Sequence, residues 1–227
     1  MTGMKRSITT TYYLVEKEIL SEFRTRYALN ALMMFVVTTL SIILFSLGGE
    51  TVPPDVLSGL LWIVIFFSAM SGLSRSFVAE EERGTVMTLQ LMTHSTHVFT
   101  GKLLYNCLLA LALNIFIGLA YQAVVADFVV RNQAIFWTAI VLGSIGLASA
   151  STILAAIIAK ANTKGTLFPV LAFPILLPLL LTAINATKMA ADGAYFQESL
   201  KEFQILVSFS VVIITISLFL FEHVWKD

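Results

Sequence analysis

Six stretches of this chain, near residues 29–47, 56–77, 103–125, 134–159, 166–186 and 203–221, run for the length of a bilayer crossing with almost no charge. Crossing roughly 30 Å of hydrocarbon as a helix takes about 20 residues. Lipid offers no water to an unpaired backbone N–H or C=O. A spanning segment is therefore a helix that bonds to itself or a strand in a closed barrel. None of the six stretches alternates with the period of two that a barrel strand needs. The expectation is an all-α integral membrane protein, with 1–227 as a single transmembrane domain of six transmembrane helices. Only 12% of the 227 residues are charged and 58% are hydrophobic, whereas a soluble domain carries about 25% charge. A formal net charge of zero leaves no global argument for a nucleic-acid partner. The single Cys107 lies inside an apolar run and reads as a small core residue. The first apolar run follows about two dozen polar and amphipathic residues, so no cleavable signal peptide is expected.

Orientation follows from the basic residues. One side of the expected topology receives Lys5, Arg6, Lys17, Arg24, Arg26, Arg75, Arg83, Lys102, Lys160, Lys164 and Lys226; the other receives Arg131, Lys188 and Lys201. Basic residues concentrate on the cytoplasmic side of membrane proteins, so both termini are expected in the cytoplasm. Ahead of the first span, Tyr12, Val15, Ile19, Phe23 and Tyr27 recur at helical spacing, with Lys17, Glu18, Glu22 and Arg24 largely off that stripe. This pattern describes an N-terminal interfacial amphipathic helix over 8–27, its aromatics at headgroup level.

The connection after the second span carries a dense charged island: Arg75, then Glu80, Glu81, Glu82, Arg83 and Gly84, followed by Val86-Met-Thr-Leu-Gln-Leu-Met92. A helix beginning near Ala79 would place three acidic residues at the positive end of its dipole. It would present Glu80 to Arg83 outward, with Val86, Leu89 and Met92 as a short apolar face. The residues alone fit a solvated loop and a docking helix equally. In the fifth span, Pro169, Pro174 and Pro178 each remove a backbone donor, which predicts a kinked or broken helix that hinges or lines a pathway. The fourth span is crowded with small residues, Gly143, Ser144, Gly146, Ala148, Ser149, Ala150 and Ser151 among them, which let helices approach closely. The connection 185–202 reads as short interfacial helices around a Gly193 turn, a lid or partner surface.

Catalytic chemistry is not visible: the chain has no P-loop, no paired Cys ligands and no G-x-S-x-G elbow, and it is expected not to be an enzyme. His94 and His97, spaced i,i+3, suggest a polar interfacial pair more than a ligand pair, and no metal site is expected. Near the span midplanes the strongest polar groups are Asn114 and Tyr105, with no ionisable pair of the kind that drives ion-coupled transport. Energy for any transport would come from a separate ATPase subunit.

Several segments carry a resemblance. Gly59-Leu-Leu-Trp62, the run Leu73-Ser-Arg75 to Thr85, Leu89-Gln-Leu-Met92, Lys102 and the proline-rich Leu171-Ala-Phe-Pro174-Ile-Leu-Leu-Pro178 are similar to the CcmB family, permease-like subunits of cytochrome c maturation complexes within the wider ABC-2-type permease group. The chain departs from the family pattern at Ser74 and at Met87-Thr88, where acidic residues often stand. The resemblance implies a bacterial inner-membrane protein, multi-pass, that couples ATP hydrolysis by a CcmA-like ATPase to haem export or to release of a haem-loaded carrier. CcmC-like and CcmD-like membrane subunits would stand alongside. Haem enters as a possible substrate, not as an intrinsic cofactor. It also implies an ATPase-coupling role for Arg75, Glu80, Glu81, Glu82, Arg83 and Gly84. A general ABC-2-type exporter permease for a lipid, polysaccharide or drug is the first alternative, and a non-transporting membrane scaffold the second.

Overall fold

A computed structural model describes residues 2–25, 27–48, 51–82, 84–160 and 167–226. Among these residues every regular element is a helix: α1 (Thr2–Thr25), α2 (Tyr27–Leu47), α3 (Pro54–Leu73), α4 (Arg75–Glu82), α5 (Val86–Met92), α6 (Ser95–Val124), α7 (Gln133–Ala159), α8 (Leu167–Asp192) and α9 (Leu200–Lys226). Six of them, α2, α3 and α6 to α9, are long and apolar enough to cross a membrane. The chain is an all-α integral membrane protein of the six-span kind.

The bundle is built around α7, which packs against α3, α4, α6, α8 and α9. Its small residues explain how so many neighbours fit. A Cβ on Gly143 would stand 2.2 Å from the Trp62 ring, and one on Gly146 would stand 2.4 Å from a Leu179 methyl. Trp62 thus crosses from α3 to set the outer edge of its ring against the α7 backbone, and its indole N–H donates to the Thr187 hydroxyl of α8 at 2.8 Å. A side chain at 143 or 146 would force the helices apart.

The expected break in the proline-rich span does not occur: α8 runs unbroken from Leu167 to Asp192 with Pro174 and Pro178 inside it. Pro169 sits in the first turn, where helix N–H groups have no intrahelical partner anyway. The two interior prolines cost donors to the carbonyls of Val170 and Pro174, but packing holds the helix. Ala172, Leu176, Leu179, Ala183, Ala186 and Ala190 recur at three- and four-residue spacing and are fully buried.

Three further boundaries differ from expectation. The N-terminal helix begins at Thr2 rather than near residue 8, and α6 begins at Ser95, two turns before the apolar run at Leu103. The connection expected over 185–202 shrinks to 193–199, because α8 continues through Asp192 and turns at Gly193 with φ +82. Short interfacial helices in that stretch are therefore replaced by an extension of α8. Asn132 explains the stop: its backbone N–H reaches the Ala190 carbonyl and its amide the Ala194 carbonyl, tying α7's start to the turn.

Candidate functional site

At one end of the bundle the α4–α5 elbow, α1, the start of α6 and the last turn of α9 come together. The elbow depends on glycine. Gly84 has φ +67, and the Thr85 N–H donates back to the Glu80 carbonyl at 3.1 Å, closing the final turn of α4 with a left-handed cap. Nothing lies within 4 Å of a would-be Cβ at Gly84, so the demand is conformational and not steric. The same turn brings the Thr85 hydroxyl onto the Glu80 carboxylate.

Glu80 is 3% exposed, and it points into the bundle. Its Oε1 accepts from Lys17 Nζ of α1 at 2.5 Å and from Lys102 Nζ of α6 at 3.3 Å. Lys102 is equally buried. Its ammonium also donates to Glu18 of α1 at 2.9 Å and to the Ser76 carbonyl at 2.5 Å, and it lies 5.2 Å from the Phe77 ring centroid. Three N–H donors thus meet three acceptors. Lys17, Glu18, Glu80 and Lys102 form a neutral set of two cations and two anions that fastens α1 and α4 to α6. Burial alone would raise the Glu80 carboxyl. The Lys102 charge and the hydrogen bonds from Lys17 and Thr85 reverse that and hold it at about 2, so it stays ionised.

The island's geometry therefore corrects two expectations. Glu80 to Glu82 close α4 in its last turn and do not open a helix at Ala79. Glu80, expected to project outward, is the inward anchor of a charged clasp, because it shares the α4 face of Phe77, which packs on Phe221 and Trp225. Arg75, Glu81 and Glu82 belong to α4 by backbone, but their side chains lie outside the described residues, as does all of Arg83. On α5, Val86 and Leu89 are half-buried against the core, whereas Met87, Leu91 and Met92 stand 72%, 84% and 78% exposed. The outward apolar face is thus Met87, Leu91 and Met92, not Val86, Leu89 and Met92. Gln90 ties the helix down by donating to the Trp225 carbonyl at 2.5 Å.

Lys17, Glu18 and Lys102 are the members that pattern reading missed as a site. Lys17 and Glu18 fell off the apolar stripe of α1, yet Glu18 faces α6. Lys102 stood just outside the expected start of the third span. One signal was available: Lys102 is in step with Val98, Phe99, Asn106 and Ala110, the buried face of α6. Pro169, Pro174 and Pro178 lie along α8 and have no polar side chain to join the clasp. His94 caps the start of α6 and His97 lies in its first turn, with ring centroids 6.3 Å apart and edge to face.

This end presents an apolar surface on the short helix α5, which Gln90 bonds to α9 and which the elbow joins to α4 and its clasp with α1 and α6. Residues 9–226 match the family model described as CcmB protein. No curated protein matches the chain.

Proposed function

The chain belongs to the CcmB family, and on that premise we propose that it is the membrane-spanning subunit of an ABC complex for cytochrome c biogenesis, driven by a separate CcmA-like ATPase. The ATPase docks on the α5 face of Met87, Leu91 and Met92, with Arg75, Glu81, Glu82 and Arg83 of the elbow beside it and Gly84 setting its angle. Nucleotide-driven movement of the ATPase displaces α5. Gln90 and the clasp carry that displacement to α9, α1 and α6. The reading places this end in the cytoplasm and the chain in a bacterial inner membrane, with CcmC-like and CcmD-like subunits on its lipid-facing helices. The work done is haem export or the release of a haem-loaded carrier, with haem as substrate only. Pro169, Pro174 and Pro178, which leave two carbonyls of α8 without helical donors, supply the compliance of that helix.

The observation that carries this reading is the combination at α5: three large apolar side chains exposed on a seven-residue helix whose other face is fastened to the bundle. A helix so short is not stable alone, so its outward apolar face is held in place by the bundle behind it. Co-purification of the ATPase with a Met87→Glu, Leu91→Glu variant tests it. The expected result is loss of the ATPase from a chain that still elutes as a folded membrane protein. Undiminished co-purification together with undiminished ATPase stimulation would remove α5 as the docking element.

A further inference from the structure

Beside the clasp, α6 meets α7 along a neutral seam that the docking reading does not use. Asn106 and Asn114 lie eight residues apart on the buried face of α6. Asn106 donates to the Thr152 hydroxyl at 2.9 Å, and Asn114 to the Ser144 hydroxyl at 2.8 Å. Thr152 and Ser144 are also eight residues apart, counted in the opposite direction, so the two bonds are equivalent rungs of one antiparallel register. Both hydroxyls donate their own proton to helix carbonyls, Thr152 to Ala148 and Ser144 to Ile140, each at 2.6 Å. They can therefore only accept from the asparagines, which fixes each amide with its N–H groups toward α7. Both amide oxygens are buried and have no donor. An oxygen in that state is costly, so stability alone does not account for either asparagine. What the pair supplies is register.

The two rungs differ in one respect. The second N–H of Asn106 reaches the hydroxyl of Ser76 on α4 at 3.3 Å. Among the described residues, Asn114 bonds to α7 alone. Asn106 thus bridges α4 to α7, whereas the clasp bridges α4 to α1 and α6. Ser76 is the second residue of α4, just past Ser74, the single residue that separates α4 from α3. Lys102 holds the carbonyl of the same Ser76 at 2.5 Å. Glu80 lies one turn further on, with α5 beyond it. The start of α4 is therefore held to α7 by a neutral bond, and its end to α1 and α6 by charge. A short helix held in this way tilts about its neutral end when the charged end moves.

We infer that Asn106 is the positioning residue that seats α4 on α7 and sets the pivot of the elbow, with Asn114 a register rung that takes no part in it. The seating of α4 is a property of the chain itself; its bearing on the ATPase rests on the docking reading above.

Hydrogen exchange of the α4 amides in the full chain, followed by assay of the complex with the ATPase, tests the assignment in Asn106→Leu, Asn114→Leu and Ser76→Ala. Leucine has the branched outline of asparagine, and it strands no partner, because Thr152 and Ser144 keep their helix carbonyls. Asn106→Leu and Ser76→Ala are each expected to speed exchange over residues 76–82 by roughly three- to tenfold, the contribution of one buried hydrogen bond. Asn114→Leu leaves it at the wild-type rate. Asn106→Leu combined with Ser76→Ala exchanges no faster than either alone, since both remove the same bond, whereas a general loosening of the bundle would add. With the ATPase present, Asn106→Leu retains it as the wild type does but loses most stimulation of ATP hydrolysis, and Asn114→Leu keeps both. Equal α4 exchange in the Asn106 and Asn114 variants overturns the assignment, and so does an additive double variant. If Asn106→Leu does not fold, Ser76→Ala against Asn114→Leu decides the same question. Faster α4 exchange with full ATPase stimulation removes Asn106 from coupling. A wild type that fails to bind the ATPase overturns the docking reading and leaves the exchange result to judge the seating of α4.

Discussion

The two ends of the bundle are fastened by different chemistry. At the clasp end, four formal charges from α1, α4 and α6 meet with N–O distances of 2.5–3.7 Å, two of them almost fully buried. At the far end the fasteners are mostly neutral. The Tyr121 hydroxyl donates to the Leu57 carbonyl at 2.9 Å, and the Asn132 amide donates to Ala194 at 2.9 Å while its oxygen accepts from Ile135. Neutral bonds of this kind fail singly and cheaply. A buried ion cluster fails as a unit, because removing one member strands the others in low dielectric. The far end is thus built to hold, and the clasp end to hold or release as a whole.

The largest test of that contrast is Lys102→Met. It leaves Glu18 and Glu80 with only the part-exposed Lys17 between them and removes their buried cation, and the expected loss is about 3–5 kcal/mol, read as a fall in the unfolding midpoint of the purified chain. The partner substitution Glu80→Gln in the same chain is expected to recover part of it. A loss under about 1 kcal/mol for the single variant would make the two ends equivalent. At the far end, Asn132→Ala removes a helix cap and one amide bond at once, for an expected loss of about 1–2 kcal/mol. A larger loss there than at Lys102 would invert the comparison.

The smallest effect concerns pH. Glu80 is held at about 2 against an ordinary 4.5. A carboxyl lowered by folding contributes stability that is complete above its unfolded value and is lost as pH falls through the folded one. The stability gap between wild type and Glu80→Gln, which has no carboxyl at that position, should therefore be flat from neutral pH down to about 4.5 and shift only between there and about 2. A gap that closes by pH 6 would show that Glu80 is not ionised by the clasp.

The sequence made the six crossings legible because lipid imposes length and apolarity on each one separately. The close packing on α7 was legible too, since Gly143 and Gly146 advertise contact without naming the partner. The clasp was not, for two reasons. Lys17 and Glu80 are 63 residues apart and Lys102 and Glu80 are 22 apart, so their pairing is set by packing and not by any local period. The row Glu80-Glu81-Glu82 also looks uniform in sequence, and only the helical phase fixed by Phe77 decides which carboxylate turns inward. That α8 would be unbroken was not legible for a related reason. Three prolines were counted as lost donors, while the alanine and leucine face that holds the helix against α7 weighed more.

The placement of Trp62 has a kinematic consequence. One side chain rests on the backbone of α7 at Gly143 and is pinned to α8 through Thr187, so α3, α7 and α8 have no freedom to slide past one another at that level. They form the stator of the bundle. By contrast, among its described side chains α2 buries Leu32, Val36 and Leu40, a single seam four residues apart, and turns Met34 and Phe45 outward at 67% and 81% exposure. A movement of α2 against that block therefore has the fewest buried side chains to displace.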